Sequence, residues 1–313
     1  MRWNWVVASL LVAVLPAGCV VEYAGEPDEL TWEEFQAAIY REPDTGIYIV
    51  NGDEPISSEP GLRAFYERMM EDQQGDGATR TADQPLIVYS VNGSDVAWNT
   101  ATAQNLTYCV STTFGTKYTT MVGAMNEAAA SWEAAAPGVN FVHVSSLDSK
   151  CNAKTTGVVF DVRPTSTTAY AARAFFPNDT RAYRNILFST YYLQPGTLGV
   201  VTIPGVLRHE MGHILGFRHE HTRPEAAACF EDNSWRELTP YDANSVMHYP
   251  QCNGTNVGDL VITESDAAGS RSLYPGGGDP PPPPPECGAV GATCSAAADC
   301  CSNSCNTRRN ICR

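Results

Sequence analysis

Between positions 209 and 220 the chain reads His-Glu-Met-Gly-His-Ile-Leu-Gly-Phe-Arg-His-Glu, and no other stretch limits the fold so tightly. On a helix, His209 and His213 stand one turn apart and project from the same face, so two imidazoles can converge on one metal ion. Glu210 is rotated off that pair by one residue. It is poorly placed as a third ligand and well placed to reach a water held on the metal. Gly216 lets the helix end in a left-handed turn, which swings the next segment back and brings His219 in as a third nitrogen. Three neutral imidazoles leave zinc one open position, the arrangement of a catalytic rather than a closed structural site. Water there has its pKa lowered to roughly 7, and Glu210 can take its proton and pass it to a leaving amine. The expected chemistry is peptide hydrolysis with Zn2+ as cofactor. A structural zinc site has no need of Glu210.

The ends of the chain suggest where such a site works. A single basic residue, Arg2, precedes an apolar run over 5–15 that is too short to span a bilayer and suits a secretory signal peptide over 1–19. The run closes on Leu15-Pro16-Ala17-Gly18-Cys19, whose Ala-Gly-Cys resembles a bacterial lipobox, with Pro16 where an aliphatic residue is usual. Two outcomes stay open: a lipid on Cys19 that attaches the protein to a membrane, or an ordinary cleaved signal. Eleven cysteines in an exported chain read as disulfides. Six lie between 287 and 312, and Cys109, Cys151, Cys229 and Cys252 lie centrally, leaving Cys19 as the odd one. The central four can pair as Cys109 with Cys151 and Cys229 with Cys252, which sequence alone does not decide.

Charge divides the chain. Of a net charge of -15, residues 20–95 carry 17 acids against 4 bases, whereas residues 96–275 carry 15 against 12. No basic footprint for nucleic acid exists, and no nucleic-acid partner is expected. In the acidic segment Thr31 can cap a helix and Glu34 can complete a capping box. Residues 71–83 are polar and glycine-containing, an exposed and cleavable connection. A second unit over 96–275 opens with a strand at 106–111. A long helix follows, with Tyr118, Val122, Met125, Ala129 and Trp132 on one face and Pro137-Gly138 at its end. Strands are expected at 141–144, 158–162 and 186–189, another at 170–176 stopped by Pro177, and a helix from about Pro204. Residues 276–286 form a Gly/Pro linker whose proline run favours a polyproline II spacer. Beyond it, 287–313 follows C-x6-C-x5-C-C-x3-C-x6-C, too small to fold without staples.

The stretch 209–220 resembles the signature of the metzincin zinc peptidases, and within them the astacins, which carry Phe and Glu where Phe217 and Glu220 stand. Ser245-Val246-Met247-His248-Tyr249 resembles the astacin Met-turn. The resemblance implies an α+β zincin fold with a twisted mixed sheet, two long helices and a C-terminal subdomain. It also implies that Met247 lies under the zinc as a hydrophobic base. Tyr249 becomes a fifth ligand that swings away to stabilise an oxyanion, a role that suits a phenol. Substrate would lie extended along the edge strand, for which 170–176 is the candidate. Val50-Asn51-Gly52-Asp53 resembles the Phe-x-Gly-Asp motif of astacin pro-segments, with Val50 for Phe. By that resemblance Asp53 ligates the zinc in place of water, 20–95 is a pro-segment, and the chain is a zymogen cut between 71 and 95. Arg80 is then a candidate site for a trypsin-like activator, and the freed N-terminus is buried beside Glu220. The other reading of Gly52-Asp53 is a plain turn. The C-terminal cysteines resemble a small disulfide-rich knottin, which implies the pairs Cys287 with Cys301, Cys294 with Cys305 and Cys300 with Cys312.

His143, His221 and His248 read as packed or solvated side chains, and no Ser/His/Asp set or phosphate-cradling loop competes for the chemistry. The expected partner is a protein or peptide substrate. A different reading is a secreted or surface binding protein that works through its knottin, whose partner is unspecified, and keeps a non-catalytic zinc site. Intact Glu210 and Tyr249 argue against it.

Overall fold

The computed structural model describes residues 30–74, 86–256, 258–276, 305–306 and 311–312. The signal, Cys19, Arg80, nearly all of the proline linker and most of the cysteine-rich module lie outside them. Two compact units divide the chain, Met1–Pro275 and Gly276–Arg313.

The first unit begins with a capping box. The Thr31 hydroxyl accepts the Glu34 N–H at 3.3 Å and the Glu34 carboxylate accepts the Thr31 N–H at 3.0 Å, which starts α1 (Trp32–Ala38). Strands β1 (Tyr40–Arg41), β2 (Tyr48–Val50) and β3 (Glu54–Ile56) form an antiparallel meander, and α2 (Glu59–Gln74) follows. Phe35, Tyr48, Val50, Leu62 and Phe65 make a core separate from the main one.

The main body starts at a hairpin of β4 (Ile87–Val91) and β5 (Ser94–Asp95), turned by Asn92 and Gly93 at φ 51 and 76. Then come α3 (Thr100–Ala103), β6 (Leu106–Val110), α4 (Tyr118–Ala135), β7 (Phe141–His143), β8 (Phe160–Thr165), β9 (Ala172–Arg173) and β10 (Asn185–Ser189). The sheet order is β7-β6-β8-β10-β9, parallel except for β9, which pairs antiparallel with β10 at the edge. Only Ala172 and Arg173 of the expected 170–176 strand enter the ladder. After the sheet, α5 (Ile203–Ile214) opens on Thr202, whose hydroxyl accepts the Gly205 N–H at 3.0 Å, with Pro204 in its first turn. Strand β11 (Trp235–Glu237) pairs antiparallel with β4, and α6 (Glu264–Leu273) ends the unit.

Helices α4 and α5 pack together, with Trp132 fully buried and its indole N–H donating to the Arg208 carbonyl at 2.8 Å. Disulfides join Cys109 to Cys151 and Cys229 to Cys252. Leu86 and Val88 are fully buried in the main core and β4 pairs with β11, so residues 86–95 belong with the body that follows them. That pairing joins segments far apart in sequence, which local composition does not reveal.

The second unit is described only as a hairpin of β12 (Cys305–Asn306) and β13 (Ile311–Cys312), with Cys305 opposite Cys312. Each of the three disulfides expected of a knottin includes a cysteine outside the described residues.

Candidate metal centre

One turn of α5 places His209 and His213 side by side, both buried, with ring centroids 5.0 Å apart. The helix ends at Leu215, and Gly216 follows at φ 95. A Cβ there would also stand 2.2 Å from the Val96 carbonyl, so the turn needs glycine on two counts. The chain reverses and delivers His219, whose Nε2 lies 3.1 Å from Nε2 of His209. Two nitrogen lone pairs that close repel unless a cation stands between them.

Each ring is fixed from behind. Nδ1 of His209 meets the Val246 carbonyl at 2.7 Å, Nδ1 of His213 the Phe217 carbonyl at 2.8 Å, and Nδ1 of His219 the Glu231 carboxylate at 2.6 Å. With an acceptor on every Nδ1, the neutral ring carries its proton there and turns the Nε2 lone pair inward.

Asp53 closes the fourth side. Its Oδ2 is 3.2 Å from Nε2 of His209, and its Oδ1 is 3.5 Å and 3.2 Å from Nε2 of His213 and His219. Bonds of about 2.0 Å to zinc give a tetrahedron with edges of about 3.3 Å, which the donor separations match. Nε2 of His213 and Oδ1 of Asp53 have no hydrogen-bond partner among the described residues. The donor set therefore fits zinc. Asp53 leaves its turn through Gly52 at φ 93, where a Cβ would approach the Tyr249 hydroxyl to 3.0 Å. Burial pushes the Asp53 carboxyl up, but His219 and His213 outweigh it and hold the group well below its ordinary range.

The other expected residues gather at the same place. Glu210 is buried, with Oε2 lacking a hydrogen-bond partner among the described residues, and burial followed by the Asp53 charge raises it well above an ordinary carboxyl. The Met247 sulphur packs so tightly beneath Gly212 that a Cβ would fall 2.3 Å from it. Tyr249 donates its hydroxyl to Oδ2 of Asp53 at 2.5 Å, and its ring lies 5.3 Å from His209 and 4.5 Å from His219. Glu220 is fully buried, accepts from Arg223 and the Asp242 N–H, and leaves Oε2 without a hydrogen-bond partner among the described residues.

His221 is buried, with its Nε2 3.3 Å from the Glu231 carboxylate, and burial lowers it to about 4. It shares Glu231 with His219 on the face turned away from the Nε2 cluster. His143 contacts Asp148, and His248 pairs with the Tyr241 hydroxyl.

Sequence reasoning missed Glu231, Arg218 and Arg173. Arg218 is buried among Asp232 at 2.6 Å, Glu231 at 2.9 Å and Glu54 at 3.2 Å. Burial raises Glu54 to about 7 against the pull of Arg218. Arg173 grips Glu42 with Nε at 2.5 Å and Nη2 at 3.0 Å. No periodicity or motif marks these residues.

A family profile described as Dual-action HEIGH metallo-peptidase matches residues 89–235. Over short stretches the chain is similar to Zinc metalloproteinase nas-30 of Caenorhabditis elegans, at 35% identity covering 20% of this chain and 11% of that protein. It is also similar to High choriolytic enzymes 1 and 2 of Oryzias latipes, at 38% identity covering 14% of this chain and 23% and 22% of theirs. The chain thus spans less than a quarter of the length of these relatives. The similarities and the donor set agree on a zinc site of the metallopeptidase kind.

Proposed function

We propose that this chain is an exported, astacin-type zinc metalloendopeptidase made as a zymogen, with His209, His213 and His219 as metal ligands and Asp53 as the latency switch. One observation carries the reading: the Asp53 carboxylate lies within 3.2–3.5 Å of all three imidazole nitrogens while accepting the Tyr249 hydroxyl. It takes the side of the three nitrogens that water or the scissile carbonyl oxygen would take, against the same donors. When bound, zinc supplies a Lewis acid that polarises the scissile carbonyl and lowers the pKa of water. Glu210 takes the proton of the attacking water at its carboxylate and returns it to the departing amine. Tyr249 donates its phenolic hydrogen to the oxygen that becomes negative, once Asp53 has left. Met247 holds the floor of the ligand pair through Gly212. Strand β9, at the sheet's edge, offers backbone groups to an extended protein or peptide substrate.

Latency follows from the same contacts, and release requires a cut between 71 and 95, with Arg80 a candidate site. The buried Glu220, with its unsatisfied oxygen, then supplies a charge partner for the new N-terminus. Casein or a quenched peptide, digested by protein cleaved and freed of residues 30–74, with and without a zinc chelator, tests the reading. Hydrolysis should vanish with chelator and return with zinc. A zinc-loaded protein, cleaved and freed of residues 30–74, that hydrolyses neither would overturn it.

A further inference from the structure

The segment that carries Asp53 is more than a strap across the metal centre. Phe35, Tyr48, Val50, Leu62 and Phe65 are buried against one another, with Trp32, Ile39 and Tyr66 packed around them. Its meander β1-β2-β3 pairs with no strand of the main body among the described residues. The segment therefore folds on its own core and holds its neighbour through side chains.

Those side chains grip at three separate places. At one, Glu42 accepts two bonds from Arg173 and the Tyr170 hydroxyl at 2.6 Å, all buried, while Ile47 and Ile49 pack on Tyr170 and Leu187. Thr167 adds its hydroxyl to that of Tyr40 at 2.9 Å. In the middle, Asp53 meets the three histidines and Tyr249. At the far end, Glu54 meets Arg218 at 3.2 Å and Arg68 lies 3.9 Å from Asp232. None of these contacts depends on the covalent connection over 75–85.

We infer that residues 30–74 are a self-cored inhibitor module that stays seated and keeps the cleft shut after that connection is cut. The inference rests on the peptidase reading for what is inhibited, but not for what is bound. Cutting removes only the tether, which holds the module at an effective concentration in the millimolar range. What remains is a pair of buried ion pairs, an apolar seam and a carboxylate among metal-type donors, the kind of contact that sets a slow off-rate. Activation then needs a second event, either dissociation on dilution or destruction of the module.

The test is a full-length chain with a unique protease site placed within 75–85, cut at micromolar concentration. In a Glu210→Gln background, where the module cannot be digested by its own enzyme, the fragments should co-elute on size exclusion. In the parent background, peptide hydrolysis after cutting should stay far below that of protein stripped of the module, and rise on dilution. Glu42→Ala leaves Arg173 buried without its anion and should weaken retention by on the order of 100-fold, so that the same dilution separates the pieces. An N-terminal fragment that elutes alone directly after cutting, with full hydrolysis in the parent, would overturn the inference. If the fragments co-elute but stripped, zinc-loaded protein hydrolyses nothing, the retained module stands and the peptidase reading fails.

Discussion

The two walls of the closed cleft are built from opposite kinds of sequence information. On one wall, three imidazoles come from residues 209–219, and helical spacing plus one left-handed glycine accounts for their convergence. On the other, Glu42, Asp53 and Glu54 reach partners 131, 196 and 164 residues away. The first wall is a local solution and the second a tertiary one. In the proposed reading the first wall carries the chemistry and the second controls access to it, and variants can address them separately.

The sharpest separation comes from Glu210→Gln, which leaves every ligand in place. Peptide hydrolysis should fall by about 10²–10⁴ with zinc content, read by native mass spectrometry, unchanged. Near-normal turnover in the zinc-loaded variant would remove Glu210 as the base. Tyr249 belongs to both walls: its hydroxyl donates to Asp53, and in the proposed mechanism it donates to the oxyanion. Tyr249→Phe in protein cleaved and freed of residues 30–74 should lower kcat by about 10² and barely move KM. A change confined to KM would make it a substrate-binding residue instead.

Smaller effects test the supports. Glu231→Gln weakens the acceptor behind His219 and should cost about 10–100-fold in zinc affinity, measured by competition with a chromophoric chelator. No change would mean that Glu231 serves only Arg218. Asp53→Ala frees the fourth side without unseating its neighbours, so the uncut protein should gain about tenfold in peptide hydrolysis, equivalent to about 1.4 kcal/mol. If it stays as silent as the parent, Asp53 is a turn residue and the blockade is steric.

The smallest effect is acid loosening. Burial raises Glu42, but the bonds from Arg173 outweigh it and leave the carboxyl lowered. Its contribution is therefore present above the unfolded carboxyl pKa and lost as pH falls through the lower folded value. Hydrogen-exchange protection of residues 40–50 should drop over that acid range in the parent and less steeply in Glu42→Gln. Equal slopes would show that other carboxylates control the loosening.

What could be read from the sequence follows the same division. The capping box at Thr31, the helix carrying His209 and His213, and the turn at Gly216 all depend on neighbours within a few residues, and each stands where it was expected. Asp53 was legible only because a short motif resembles a known one, not because anything near it points to a histidine. Arg173 and Arg218 gave no signal, since a buried arginine is defined by anions brought to it from elsewhere in the chain. The pairing of β4 with β11 was hidden for the same reason, and it packs residues 86–95 with the main body.

The disulfide between Cys229 and Cys252 encloses Glu231, Asp232, Met247 and Tyr249 within one loop. Everything that steadies His219 from behind and floors the ligand pair is thus tied by one redox bond. In a reducing compartment that loop regains its conformational freedom, at a cost of about 3 kcal/mol to the folded state. Closing that one bond therefore also steadies the acceptor behind His219 and the floor beneath the ligand pair, so disulfide formation and the shape of the donor set are linked in a single loop.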